Sequence, residues 1–565
     1  MNLWHIFSAP KIASLLLISI LIIILPTLIN FINYNSIIII EWELLNINNT
    51  LLTFPIILDK YRLTFSFIVR LISLSVIIFT TIYISNDPNL EYFIYIVIFF
   101  VISINFLIFI PNLIFLLLGW DGLGLTSYLL VIYYQRDSSL SAGIITAITN
   151  RIGDSLLIVA RAWLLTRGHW IPNLINSNIL ILTTICITIA AITKRAQTPF
   201  SAWLPAAIAA PTPVSSLVHS STLVTAGIYL LFRFYDTISQ FSIILPFLFY
   251  SGVLTCTAAG VSALLEYDFK KIVALSTLRQ LGIIIIALGI GQPMLAFFHL
   301  ITHALFKALL FICAGNIIHC KQNNQDLRLI GNLWISMPVT CTFLNVANLA
   351  LCGFPFIAGF YSKDAAIELF LSRTFPLSTR IILLTSICLT AAYSIRLSIL
   401  TLWSPFKGIP TNLTRDERIH IYLAGTILFT GAVSGGAIIH WILTPTILTP
   451  SLPPALKLIA LTLITLFTIT GFLITKTNIV LPGKHLFSNL WFLNRISSTP
   501  LLQWSFKKRS DLNKNEITWI EILRGKGSIK LITSLIKPIQ QSQGLTFSQL
   551  YATFACTIII LLFII

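Results

Sequence analysis

His-Leu-Ile-Thr-His-Ala-Leu-Phe-Lys-Ala, residues 299–308, is the stretch on which the reading of this chain turns. It lies in an otherwise apolar segment of helix length, and His299, His303 and Lys307 recur every four residues, which places them on one helix face. A charge at mid-bilayer costs about 2.5–3.5 kcal/mol, so a stripe of three titratable groups inside such a helix points to function before it points to scaffold.

The rest of the chain supports a lipid setting. Of its 565 residues, 56% are hydrophobic and only 10% charged, and the mean hydropathy is +0.91. Soluble domains average about 25% charged residues, so water cannot be the solvent for most of this surface. Runs long enough to cross the hydrocarbon as helix fall at 11–32, 61–84, 91–109, 111–134, 140–165, 241–264, 378–403, 419–442, 455–475 and 546–565. Less regular stretches at 173–233, 270–318 and 336–372 bring the expected total to about fifteen crossings. The predicted fold class is an all-α polytopic membrane bundle. The first run, with Lys11 ahead of Ile12 to Phe31 and no small-residue cleavage site after it, reads as a membrane helix and not as a removable signal.

Several chemistries are excluded by what the sequence lacks. Its eight cysteines include no C-x-x-C pair, which argues against an iron–sulfur cluster, a c-type haem or a structural zinc. No G-x-G-x-x-G or P-loop pattern occurs, so no nucleotide site is visible. Any redox or ATP energy must enter through another subunit. The net charge is +17, and between Lys484 and Lys537 ten Lys/Arg face three acids. By the positive-inside rule that segment belongs on the side of synthesis; its membrane-helix neighbours argue against a nucleic-acid patch.

Further ionisable residues stand among apolar neighbours. Asp121 lies in Leu-Gly-Trp-Asp-Gly-Leu-Gly, and Arg151 and Asp154 are three apart, within pairing reach on one face. Lys194 closes the apolar stretch 179–192, His219 lies in Leu-Val-His-Ser-Ser-Thr, and Lys363 and Asp364 follow Gly-Phe-Tyr-Ser. Singly, each could be a satisfied structural polar group, and His299/His303 alone would also fit a metal pair, although no third ligand is evident. Arg151–Asp154 reads as a structural or field-shaping ion pair, because Arg does not release its proton. Collectively, lysines and histidines whose proton affinity responds to burial and neighbouring charge are what a proton relay needs.

Two helices are expected to break in mid-membrane. Pro199, Pro205, Pro211 and Pro213 follow Lys194, and Gly353, Pro355 and Gly359 precede Lys363. Paired discontinuous helices in two halves of one chain point to a transporter with internal repeats, and each break lies beside a lysine.

Six motifs in order, Gly-Trp-Asp-Gly-Leu-Gly-Leu (119–125), Asn-Arg-Ile-Gly-Asp (150–154), Thr-Lys-Arg-Ala-Gln-Thr-Pro-Phe (193–200), Ala-Pro-Thr-Pro-Val-Ser-Ser-Leu-Val-His-Ser-Ser-Thr (210–222), residues 299–308 and Gly-Phe-Tyr-Ser-Lys-Asp (359–364), resemble the antiporter-like subunits of respiratory complex I. The resemblance implies two inverted five-helix repeats, each with a broken helix, and a polar axis along the membrane midplane. It divides the chain into N-terminal membrane helices (1–90), a first repeat (91–240), a second repeat (241–405), additional membrane helices (406–483), a lateral amphipathic segment (484–545) and a terminal anchoring helix (546–565). It casts Asp121 as the partner of Lys194, with His219, His299, His303 and Lys307 as the next links and Lys363 with Asp364 as the distal site. It also implies residence in the mitochondrial inner membrane, FMN, iron–sulfur clusters and ubiquinone carried by other subunits with no cofactor or metal in this chain, and as partners the neighbouring antiporter-like subunit, accessory subunits and lipids such as cardiolipin, with no nucleic acid. The alternatives are a stand-alone cation/proton antiporter and a non-pumping structural subunit.

The chain departs from that family in places. Asp121 replaces the commoner Glu and is shorter by one methylene, and Ala209 and Ala210 stand where some relatives carry an acid. Arg161, Arg195 and Arg279 sit in or beside apolar helices where the family carries uncharged residues, and there are only three methionines. Two readings apply: the arginines reach the membrane surface along their stems, or some serine codons are being read as arginine and some methionine codons as isoleucine.

Overall fold

A computed structural model describes residues 8–47, 50–85, 87–166, 170, 179–408, 419–443, 453–476, 487, 491, 503, 507–514, 525–543 and 547–564. The chain forms two compact units, Met1–Asn494 and Arg495–Ile565.

In the first unit, α1 (Ala9–Tyr34) leads into an antiparallel hairpin of β1 (Ile38–Ile47) and β2 (Thr50–Leu58). There follow α2 (Lys60–Tyr83), α3 (Leu90–Phe109), α4 (Leu113–Ile132), α5 (Asp137–Leu165), α6 (Ile179–Lys194), α7 (Thr212–Arg233), α8 (Ile244–Leu265), α9 (Phe269–Gly289) and α10 (Pro293–Cys320). The series continues with α11 (Pro338–Cys352), α12 (Ala358–Ser372), α13 (Leu377–Trp403), α14 (Ile419–Leu443) and α15 (Pro454–Lys476). In the second unit, α16 (Lys526–Gln543) and α17 (Phe547–Ile564) are described. Among the described residues, eleven helices have the length and apolar composition to cross a membrane, and four shorter ones are also apolar.

The hairpin was not foreseen, since the first 90 residues were read as membrane helices alone. Its strand signal is masked: β1 alternates Ile40, Glu41, Trp42 and Glu43, but Ile38, Ile39 and Ile40 run together like the start of a helix. Its register is Ile38 opposite Leu58 and Ile47 opposite Thr50, with an irregularity between Glu43 and Leu45.

Burial defines the interior. Every residue of α10 from Leu295 to Ile318 is buried, including its polar stripe. Around it pack α9, α11, α14 and a wide turn of α7. On the outside, Ile22 and Ile23 of α1 and Trp441 of α14 stay exposed, as lipid-facing side chains should.

Both expected breaks are present. Lys194 ends α6, and the chain then turns through Ala196, at φ 54°, into short helices at Trp203–Ala206 and Ala207–Ala209 before α7 begins. Cys352 ends α11; Gly353 takes φ 84°, a left-handed value that glycine adopts without strain, and α12 starts at Ala358. Within α7, residues Ser215–Thr222 form a π-turn, widened by one residue per turn. Its freed carbonyls are met by side-chain hydroxyls: Ser221 donates to Leu217 O at 3.0 Å and Thr222 to the same carbonyl at 2.6 Å.

In the second unit, α16 carries Ile529, Leu531, Ile532, Leu535, Ile536 and Ile539 exposed. At helical spacing these fall on one side, with Lys530 and Lys537 on the other. α16 is thus cleanly amphipathic; Trp519 and Leu523, apolar residues of the expected lateral segment, lie outside the described residues.

Close approach of α5 and α6 depends on Gly153, where a Cβ would collide with the Thr193 hydroxyl. Gly153→Leu is therefore expected to overpack this contact by about 1–3 kcal/mol and to lower the amount of assembled protein, read by native gel electrophoresis of solubilised membranes. Wild-type assembly in that variant would contradict the packing described.

Candidate functional site

Lys194 is the last residue of α6, and its ammonium reaches the middle of α4. Its Nζ donates to the Trp120 carbonyl at 2.5 Å and lies 3.8 Å from the centre of the Trp120 ring. Trp120 Nε1 in turn donates to Asp154 Oδ1 at 2.9 Å, and Asp154 Oδ2 lies 3.4 Å from Arg151 Nη1. The tryptophan thus stands between the lysine and a half-neutralised carboxylate. Asp121 was expected to pair with Lys194, but no ion pair joins them among the described residues. Its shorter side chain instead borders a cavity of about 230 Å³ shared with Asn150, Arg151 and Asp154, and its Oδ1 has no hydrogen-bond partner.

His219 occupies the π-turn of α7, its ring 6.2 Å from that of Trp203 and both ring nitrogens without a partner. On α10, His303 is likewise unpartnered and stands 6.4 Å, ring to ring, from His299. His299 is held at both nitrogens: Nδ1 is 2.8 Å from Ser362 Oγ and Nε2 is 3.3 Å from Gln280 Oε1. Ser362 also meets Thr302 Oγ1 at 3.0 Å. Lys307 donates to the Ser276 hydroxyl of α9. Lys363 reaches back across the second break and donates at 3.1 Å to each of Leu351 O, Cys352 O and Thr390 Oγ1, so that it caps the end of α11. Asp364, next in the chain, is only partly buried.

None of Lys194, His219, His299, His303, Lys307 and Lys363 is more than 2% exposed, so these six lie inside the bundle and away from its rim. His299, Lys363 and their neighbours are brought together through Ser362; direct hydrogen bonds do not join Lys194, His219 and His303 to one another. Sequence reasoning passed over Trp120, Ser276, Gln280, Ser362 and Thr390. Ser276 and Gln280 are themselves four apart on an apolar helix, a signal that the more conspicuous lysines and histidines overshadowed. Among the described residues, no group of three or more His, Cys, Asp or Glu is placed to hold a metal ion.

The three arginines separate. Arg161 is exposed on α5. Arg195 and Arg279 do not reach a surface: both are fully enclosed. Among the described residues, all three guanidinium nitrogens of Arg195 lack a partner, and Arg279 donates to the Ser386 carbonyl and lies 5.8 Å from the centre of the Tyr393 ring. A buried charge without a counter-charge costs several kcal/mol.

Buried lysines seated at the ends of interrupted helices, in a many-pass bundle, define the class of antiporter-like membrane subunits. Residues 111–390 match the family model for the transmembrane region of NADH:quinone oxidoreductase and Mrp antiporters, and residues 393–565 match the NADH dehydrogenase subunit 5 C-terminus. The chain is 44% identical to NADH-ubiquinone oxidoreductase chain 5 of Lumbricus terrestris over 93% of each sequence. It is 36% identical to that of Felis catus over 75% of this chain and 71% of the relative. It belongs to the NADH-ubiquinone oxidoreductase chain 5 family. Among solved structures, the Mrp complex from Dietzia sp. DQ12-45-1b superposes with a TM-score of 0.72 at 20% identity, covering 94% of this chain and 63% of that one. The archaeal membrane-bound sulfane sulfur reductase gives 0.68 at 18% identity, covering 94% and 98%. Both likenesses are of fold.

The enclosure of Arg195 and Arg279 favours serine at both positions. Peptide masses covering 193–200 and 276–282 are expected to carry serine; an arginine mass at both would exclude the altered decoding.

Proposed function

We propose that this chain moves protons along its buried lysine, histidine and carboxylate groups, as the membrane subunit of an NADH:ubiquinone oxidoreductase whose redox chemistry runs elsewhere in the complex. The observation that carries the reading is the pair of lysines, Lys194 and Lys363, each enclosed beside a broken helix and each held by backbone carbonyl. Lys194 is held by Trp120 O in the middle of α4, and Lys363 by Leu351 O and Cys352 O at the cut end of α11. A lysine held by neutral dipoles keeps its proton only while the local field allows it. Changing the charge on Asp154 or Asp121 is therefore enough to tip Lys194 towards release.

In this scheme, the proton leaves Lys194, passes His219, and enters the cluster of His303, Lys307 and His299, with Ser362 as the link to Lys363 and Asp364. Arg151 sets the field at Asp154 and holds its own proton. The unpartnered ring nitrogens of His219 and His303 are where water would complete the line, because buried polar atoms are nearly always satisfied. Membership of the family makes the partners other membrane-arm subunits of the complex. We extend this to a neighbouring antiporter-like subunit contacted by the lateral segment, to accessory subunits, to cardiolipin and to the mitochondrial inner membrane as the site. FMN, iron–sulfur clusters and ubiquinone belong to other subunits in this reading. About fifteen crossings arranged as two inverted repeats are part of the same proposal. Co-purification with flavin and iron–sulfur subunits distinguishes it from a stand-alone cation/proton antiporter.

Lys194→Met and Lys363→Met are each expected to lower proton translocation coupled to NADH oxidation by about tenfold or more, since a positioned acid–base group contributes about 10²–10⁴ in rate. Asp121→Asn should lower it less, because it keeps shape and removes only charge. Proton uptake by sealed membrane vesicles, normalised to assembled complex, gives the measurement. Full coupled transport in all three would end the relay reading. In an experimental density map, water is expected within hydrogen-bond distance of His219 and of His303; two dry imidazoles would favour the non-pumping alternative.

A further inference from the structure

A second polar cluster lies apart from the relay, where the start of α2 and the ends of α3 and α7 meet beneath the hairpin. Asp59 caps α2 by accepting from Arg62 N at 2.7 Å, and its two carboxylate oxygens each accept from Arg233 at 2.8 Å. Arg233 Nε donates to Tyr229 OH at 2.9 Å. Arg62 folds back over the same carboxylate, with Nε 3.7 Å from Asp59 Oδ2, and its Nη1 donates to Phe109 O at 2.5 Å and Ile57 O at 3.2 Å. Two guanidinium groups therefore share one carboxylate. Arg62 is 95% enclosed, being 5% exposed, yet its Nε donates no hydrogen bond. Both arginines border a cavity of about 310 Å³ whose remaining wall is largely apolar, with Ile37, Ile57, Leu107 and Leu230 among its residues. Asp236 also borders it, but is exposed and forms no ion pair with either arginine among the described residues.

We propose that this cavity seats the phosphate of an anionic phospholipid against Arg62 and Arg233, with its acyl portion along the apolar wall. The cluster stands at the level of helix ends, which is headgroup depth in a bilayer. Guanidinium groups suit phosphate oxygens, which accept charge-assisted hydrogen bonds. Arg62 Nε is left without an acceptor by Asp59 and by the exposed Asp236 alike, and a phosphate oxygen would supply one. An exposed apolar face of the hairpin, including Ile38, Ile40 and Trp42, lies beside it in the chain and matches the same interfacial setting. Free phosphate would satisfy the arginines and leave the apolar wall uncovered.

The test uses the assembled complex in phosphatidylcholine nanodiscs doped with a photoactivatable phosphatidylglycerol, with labelled peptides mapped by mass spectrometry. Labelling is expected in segments 55–62 and 107–116. It should fall about tenfold, equivalent to about 1.4 kcal/mol, in Arg62→Gln and in Ile57→Trp, which fills the cavity and alters no charge. If Arg62→Gln fails to assemble, Ile57→Trp decides. Equal labelling by a photoactivatable phosphatidylcholine, unchanged labelling in Ile57→Trp, or displacement by millimolar inorganic phosphate would each overturn the proposal.

Discussion

An ammonium group in hydrocarbon must be met by something that water would otherwise supply, and in this protein that something is backbone carbonyl, which at Lys363 comes from the cut end of a helix. Lys363 takes two carbonyls from the end of α11 and a threonine hydroxyl; Lys194 takes the carbonyl of Trp120 while itself closing α6. In a continuous helix each carbonyl is already used four residues on and has only its second lone pair to offer, which is what Trp120 of α4 gives Lys194. At Lys363 the break in the helix frees two carbonyls, and these make the lysine tolerable. The left-handed Gly353 that ends α11 and the lysine that reaches back to its carbonyls form one device.

The neighbourhood of Lys194 shows how such a group can be held loosely. An aromatic face and a carbonyl stabilise the charged form without neutralising it, and the nearest hydrogen-bonded carboxylate is one tryptophan away. A direct, dry ion pair would be harder to discharge, because separating buried opposite charges costs several kcal/mol. The arrangement leaves Lys194 sensitive to Asp154 and Asp121 while bound tightly to neither. On α10 the same economy appears in neutral form: His299 is oriented by Ser362 and Gln280, while His303, one turn further on, makes no protein hydrogen bond.

Much of this was legible in the sequence for a simple reason. In lipid, run length and the rarity of charge carry most of the structural information, so the helices, both breaks and the buried stripe followed from composition and spacing. What escaped depended on side-chain direction. Nothing in the spacing of Asp121 and Lys194 says that Trp120 would turn its ring between the lysine and Asp154. Serines and glutamines that orient histidines look like ordinary helix residues. The hairpin escaped because both its faces are rich in isoleucine and leucine, which blurs the alternation of period two. The sequence did flag Arg195 and Arg279 as misfits, and their enclosure sharpens the misfit.

The widened turn around His219 has a mechanical side. A π-turn holds one residue more than the helix on either side requires, and that surplus can move along the rod without unwinding its ends. Passing it across position 219 would rotate the imidazole by about 100°, one residue's worth of helix, relative to the bundle.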